Sequence, residues 1–257
     1  SLTRWLGGGF ELGDYVLIQA YANRGKSWLA SSVAVKAWAS KFGVLYYSPE
    51  LTKNQQQFRF DTVHGHFDNV KVRRGELDNE QEYFDYLEKF DETNEVPFIV
   101  KTMEDLPKGL SLDVIEADLQ AMDNIGMVVI DGFNLMNHGR GGRDGMTQTS
   151  RKLRQLFGRY KVAGVVVHQT STAAEKENKI EDDEIGVREP NPARLDQYSE
   201  TIALIQDPAT VLSFDQHDGV AKLLLAKCRE PDVGKVLDMR CNFNKGFLTE
   251  ATPVDFM

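Results

Sequence analysis

Short apolar runs recur along the chain, separated by stretches with helical spacing. Runs near Tyr15–Gln19, Val44–Tyr47, Phe98–Lys101, Met127–Ile130, Val165–Val167 and Ile202–Ile205 predict strands. Between them, helices are predicted near Lys26–Lys41, Lys53–Phe60, Asn79–Phe90, Ser111–Met122 and Ser150–Tyr160. This alternation is the pattern of βαβ units and a mostly parallel sheet flanked by helices, an α/β class. MVVI and VVV are continuous apolar runs, as expected of strands covered on both faces. The C-terminal part changes character: AKLLLAKCR, KVLDMRC and NFNKGFLTE, with Pro, Asp and Gly between them, predict antiparallel hairpins. Two polar segments, Asn137–Gln148 and Thr170–Pro190, lack periodicity and read as long loops, which in a compact domain are usually functional or disordered.

The first strand and helix enclose the most informative stretch. Asp14–Ser27 reads DYVLIQA-YANRGKS and leads into the helix-like WLASSVAVKAWASKF. A strand, a turn ending Gly25-Lys26-Ser27 and a helix form the setting of a phosphate-binding loop. Backbone N–H groups wrap the phosphates, the lysine reaches the outer oxygens and the serine hydroxyl ligates magnesium. Ala20, Asn23, Arg24, Gly25, Lys26, Ser27 and Trp28 are therefore the candidate nucleotide-binding residues, with ATP and Mg²⁺ as cofactors. Ala20 stands where the usual pattern has Gly, and Asn23-Arg24 precede the GKS triplet.

Magnesium held by a serine hydroxyl needs a carboxylate nearby, and Asp131, at the end of GMVVI, stands at the carboxyl edge of a buried strand where ligands bind. Ser27 and Asp131 are the candidate metal residues. Glu50 follows the strand VLYYS, where a carboxylate can align the attacking water, although acids also commonly start the next helix. Gln169 ends VVVHQ and can contact a terminal phosphate; a buried structural amide is the alternative. Lys227 and Arg229 share a face of AKCR if it is extended and can reach a neighbouring subunit's phosphates, or can be surface charge on an edge strand.

Bulk properties narrow the partners. With 257 residues the chain has enough length for one large core, and its net charge of −9 argues against a surface coated for indiscriminate nucleic-acid binding. A local basic channel remains compatible with that total. No apolar run approaches the ~18 residues that would span a bilayer. The two cysteines, Cys228 and Cys241, have neither disulfide nor metal spacing, which fits a reducing, cytoplasmic setting. Opening on Ser and entering a strand almost at once suggests a domain excised from something longer.

The order of these motifs resembles the C-terminal motor domain of DnaB-type replicative helicases, RecA-like ATPases that form hexameric rings on single-stranded DNA. The resemblance spans nearly the whole chain. LTRWLGGGFELGDYVLIQA is similar to the family's opening segment, AYANRGKS to its Walker A loop and LYYSPEL to its strand ending in Ser-x-Glu. VVIDGFNLM resembles the Walker B strand, VVVHQTS the sensor strand and LLLAKCREPDVGKV the hairpin carrying a trans-acting finger. Arg59 lies nine residues beyond Glu50, as an arginine does in the family.

The resemblance implies one RecA-like P-loop domain over residues 1–257, without the family's N-terminal collar. It makes Glu50 catalytic, Gln169 the phosphate sensor, and Lys227 and Arg229 the contribution to a neighbour's site. It also implies a ring, 5′→3′ translocation, and primase and loader partners in a bacterial or phage-infected cytoplasm. The two long loops would face the channel, with Arg140 and Arg143 in one and Lys176, Lys179 and Arg188 in the other contacting single-stranded DNA. PNPARLDQYSE stands where the family usually has an Arg-Glu-Ser-Gly stretch, which leaves individual DNA contacts open. A RecA-like recombination ATPase and a KaiC-like regulatory ATPase are the rival readings.

Overall fold

The computed structural model describes residues 2–90, 95–139, 141–183, 189–198, 200–229 and 231–251, with backbone alone at 179–183. Arg140 and Arg188 lie outside the described residues, as does the side chain of Lys179.

A short helix, α1 (Leu2–Trp5), precedes β1 (Tyr15–Ala20) and α2 (Lys26–Ala39). Then follow β2 (Gly43–Ser48), α3 (Lys53–Gly65), α4 (Asn69–Arg74), α5 (Glu80–Phe90) and β3 (Phe98–Thr102). The middle of the chain forms α6 (Leu112–Ala121), β4 (Ile125–Asp131), α7 (Arg143–Tyr160), β5 (Ala163–Gln169) and α8 (Thr172–Asp183). The last part is α9 (Ala203–Gln206), β6 (Thr210–His217), β7 (Val220–Lys227), β8 (Val236–Asn242) and β9 (Phe247–Glu250).

Among the described residues, nine strands join one sheet in the order β3-β2-β4-β5-β1-β6-β7-β8-β9. The pairs from β3 through β6 are parallel; β6 to β9 pair antiparallel, as the hairpin reading predicts. The period-two alternation of strands splits the core into two layers. Val16, Ile18, Val44, Tyr46, Val129, Val165 and Val167 pack with α2 on one face. Tyr15, Leu17, Leu45, Tyr47, Val128, Ile130 and Val166 pack with α6 and α7 on the other. Because both faces are covered, ligand chemistry is left to the strand ends, and the carboxyl ends of β1, β2 and β4 lie on the same edge of the sheet.

Four sequence expectations change. Ile202–Ile205 is not a strand but largely the helical turn α9, and the sixth parallel strand is β6. Periodicity does not separate helix from strand in so short an apolar run. The helical choice is tertiary: Lys227 Nζ donates to the carbonyls of Ile205 (2.8 Å), Gln206 (2.7 Å) and Pro208 (2.7 Å). β6 is concealed in sequence by Ser213 and Asp215, which are polar yet buried. Residues 143–148 of the predicted loop Asn137–Gln148 begin α7; a glycine is needed at 145 because a Cβ would stand 2.6 Å from the His138 carbonyl oxygen. Thr172–Asp183 of the second predicted loop is α8, whose Ala174 faces the core and whose start is capped by Ser171 Oγ accepting from Ala174 N–H at 3.2 Å.

Candidate active site

The turn after β1 enters α2 through Gly25, whose φ of 88° and ψ of 15° are left-handed. That conformation favours glycine, and a Cβ would also collide with the Phe243 ring. Asn23 has a positive φ of 57°, which asparagine tolerates better than most residues. α2 begins at Lys26, so Lys26 and Ser27 occupy its first turn, where unpaired backbone N–H groups attract anions.

A cavity of about 290 Å³ opens there, lined by Asn23, Gly25, Lys26, Ser27, Trp28, Glu50, Leu51, Arg59, Asp131, Gln216 and Phe243. The structure thus brings together five of the seven residues expected to bind nucleotide, with Glu50 and Asp131. Ala20 and Arg24 are not among its lining residues. Ala20 is a buried strand residue whose carbonyl accepts from Thr170 N–H at 2.9 Å. Arg24 turns away, to Glu175 Oε1 of α8 at 3.2 Å and the buried Asp215 Oδ1 at 3.7 Å.

Asp131 is the electrostatic centre of the cavity. Ser27 Oγ donates to its Oδ1 at 2.9 Å, Tyr46 Oη donates to its Oδ2 at 3.0 Å, and an Arg59 nitrogen lies 3.8 Å from Oδ2. Burial pushes this carboxyl up from the usual carboxylate range, while Arg59, Ser27, Tyr46 and Lys26 favour its ionised form. Burial likewise holds the Tyr46 phenol well above the ordinary tyrosine value, so it acts as a donor. Arg59 also sits 5.1 Å over the Trp28 ring, and Trp28 stacks on Phe243 at 5.6 Å and 8°.

Glu50 is exposed at the rim, between the end of β2 and α3. α3 starts with a capping box: Gln55 N–H donates to Thr52 Oγ1 at 3.4 Å, and Thr52 N–H to Gln55 Oε1 at 3.1 Å. This fixes the chain two residues beyond Glu50. Gln169 ends β5 in register with Ala20, beside the strand that feeds the loop.

The donor set suits Mg²⁺, a hard cation bound by few protein oxygens with the rest from water and phosphate. Ser27 and Asp131 offer a hydroxyl and a carboxylate 2.9 Å apart. Among the described residues no group of three or more His, Cys, Asp or Glu could hold a metal by itself.

The remaining predicted residues lie elsewhere. β7 ends at Lys227, and Arg229 follows in an exposed bend rather than on the strand. Lys227 is partly buried, and its three carbonyl partners match the three protons of its ammonium. Burial lowers its pKa, with Arg154 and Arg229 adding to the effect. Arg143 is exposed at the start of α7 and Lys176 is exposed on α8.

Residues 3–249 match the family model described as DnaB-like helicase C terminal domain. The chain belongs to that family. A "Probable replicative DNA helicase" from Trieres chinensis is 23% identical over 262 residues, covering 96% of this chain and 55% of that protein. Among solved structures, a DnaB-like replicative helicase studied with its interactions with primase aligns at a TM-score of 0.80 and 17% identity, covering 98% of this chain and 62% of that one. A second solved structure, described as an ATPase domain, aligns at a TM-score of 0.80 and 18% identity, covering 98% of this chain and 89% of that one. These likenesses support the RecA-like α/β fold, and the chain spans about half the length of the curated relative. No helix among the described residues is long and apolar enough to cross a membrane.

Sequence reasoning missed Gln216, Leu51 and Phe243 as lining residues. Gln216 comes from the end of β6 and Phe243 from the turn after β8, and nothing local in QHDG or NFNK marks them.

Proposed function

We propose that this chain is the ATP-hydrolysing motor domain of a replicative DNA helicase, moving 5′→3′ on single-stranded DNA within a homo-hexameric ring. The observation that carries the proposal is the convergence of Lys26, Ser27, Glu50 and Asp131 on one cavity at the carboxyl edge of the sheet.

Lys26 and the first-turn amides of α2 would bind the phosphates. Ser27 and Asp131 would hold Mg²⁺, which neutralises charge developing on the phosphate oxygens. Glu50 would orient and deprotonate the attacking water. Gln169, at the tip of β5, would sense the terminal phosphate and bias α8, which follows it. Arg229, exposed and beyond its own cavity, would reach a neighbour's phosphates. Lys227, held by the end of α9, would brace the hairpin that presents it. Arg143 and Lys176 would contact the DNA backbone, which makes binding salt-sensitive and largely indifferent to sequence. Primase and a loader are the partners that the family suggests; one solved relative was described with primase.

The test is ATP turnover with and without single-stranded DNA, followed by unwinding of a forked duplex. Stimulation and unwinding support the reading. Strand pairing without unwinding would favour a recombination ATPase, and turnover indifferent to DNA would favour a regulatory one.

A further inference from the structure

The carboxylate that ends β4 is held from beneath as well as by the phosphate loop. β2 and β4 run in the register Tyr46↔Val129 and Tyr47↔Ile130, so Tyr46 shares a face with Val129 and, two residues on, Asp131. Tyr46 is fully buried, and its hydroxyl donates to Asp131 Oδ2 at 3.0 Å while Ser27 takes Oδ1 at 2.9 Å. Ser31, one turn beyond Ser27 on α2, is also fully buried, with Oγ 3.4 Å from the same phenol oxygen. Since the phenol proton is given to the carboxylate, Ser31 is left as donor to the phenol oxygen. The Tyr46 ring is fixed edge-on against Phe60 at 5.0 Å and 86°. Three elements therefore contribute to one chain of donors, Ser31 to Tyr46 to Asp131.

A hydroxyl buried this deeply is costly unless partnered, and packing against Phe60 and α2 asks only for an aromatic ring. From this geometry we infer that Tyr46 is a positioning residue for the metal-binding carboxylate: it holds Oδ2 so that Oδ1 stays turned toward Ser27 and the metal's water shell. Ser31 orients the phenol in turn. The inference rests on the nucleotide-site reading above. Removing a hydrogen-bond partner of a metal ligand typically weakens metal affinity about 10- to 100-fold.

The test is the affinity of a fluorescent ATP analogue, measured in EDTA and across a Mg²⁺ titration. Tyr46→Phe should bind the analogue in EDTA like wild type, but its half-saturating Mg²⁺ should rise about tenfold. Ser31→Ala should move in the same direction by less. An unchanged Mg²⁺ dependence, or equal weakening with and without metal, would overturn the inference, the latter marking a packing role. If melting shows that Tyr46→Phe does not fold, Ser31→Ala decides by the same titration: a shift supports the relay and no shift overturns it. A wild-type chain that binds no nucleotide, or binds it without regard to Mg²⁺, removes the site reading and this inference with it. A metal-dependent wild type with an indifferent Tyr46→Phe removes the inference alone.

Discussion

Two cationic regions of this molecule use their charges differently. At the carboxyl edge of the parallel strands, Lys26 lines an open cavity with Ser27 and Asp131, and Arg59 leans on the same carboxylate from 3.8 Å. At the antiparallel end, Lys227 gives its ammonium to three carbonyls of its own chain, and Arg229 stands exposed beyond it. The first region is assembled within one chain and can be understood from it. On the function proposed above, the second region acts only where a neighbouring subunit meets Arg229. The first region shows itself as a ligand site by convergence of groups, whereas the second shows only a braced lysine beside an exposed arginine.

The largest effect should come from breaking that second region. Arg229→Ala should lower ATP turnover by about 10³-fold or more in assembled protein, as expected for a trans-acting arginine. Mixing it with Lys26→Ala should restore a fraction of sites. Turnover that ignores the mixing ratio would return Arg229 to ordinary surface charge. Within the first region, Glu50→Gln should cost about 10²- to 10⁴-fold in hydrolysis. Its ATP affinity should stay near wild type, because Glu50 lies at the rim rather than in the phosphate-binding turn.

Gly25→Ala sharpens the contrast structurally. Its φ of 88° and the close approach of the Phe243 ring demand a rearranged loop, at a cost of about 1–3 kcal/mol in stability. Thermal melting and ATP affinity should both fall. A smaller, pH-dependent effect lies away from both regions, where α5 packs on α3. Burial pushes the Asp61 carboxyl up to about 6, against hydrogen bonds from Tyr83 and Tyr86 that favour its ionised form. A folded-state pKa above the unfolded one means that the folded chain binds the proton more tightly, so this contribution is present at about pH 4 and lost as pH rises through about 6. Asp61→Asn melting, taken relative to wild type, should therefore improve between about pH 4 and 6 and be flat above. His64 opposes this in the raw wild-type curve, because burial lowers its pKa; the difference between the two proteins isolates Asp61.

Much of the catalytic edge was legible because it is local. A strand, a glycine turn and a helix are adjacent in sequence, and Asp131 marks the end of an apolar run. The hairpins were legible through their turn residues. What escaped reading depends on register and on packing across the sheet. The Tyr46–Asp131 contact requires knowing that Tyr46 pairs with Val129, and Phe243 reaches Gly25 from the far end of the chain. α8 and the start of α7 looked like loops because glycine and charge mask helices whose order comes from neighbouring elements. α9 reads as a strand in sequence because Lys227, which caps it, lies more than twenty residues away.

The proposed function depends on Lys26, Ser27, Asp131 and Glu50 forming one magnesium-dependent site that cleaves ATP. Turnover and analogue affinity, measured side by side for wild type, Lys26→Ala and Glu50→Gln, test it most directly. Lys26→Ala should lose binding and turnover together, whereas Glu50→Gln should keep binding and lose turnover. Full turnover in either variant would contradict it.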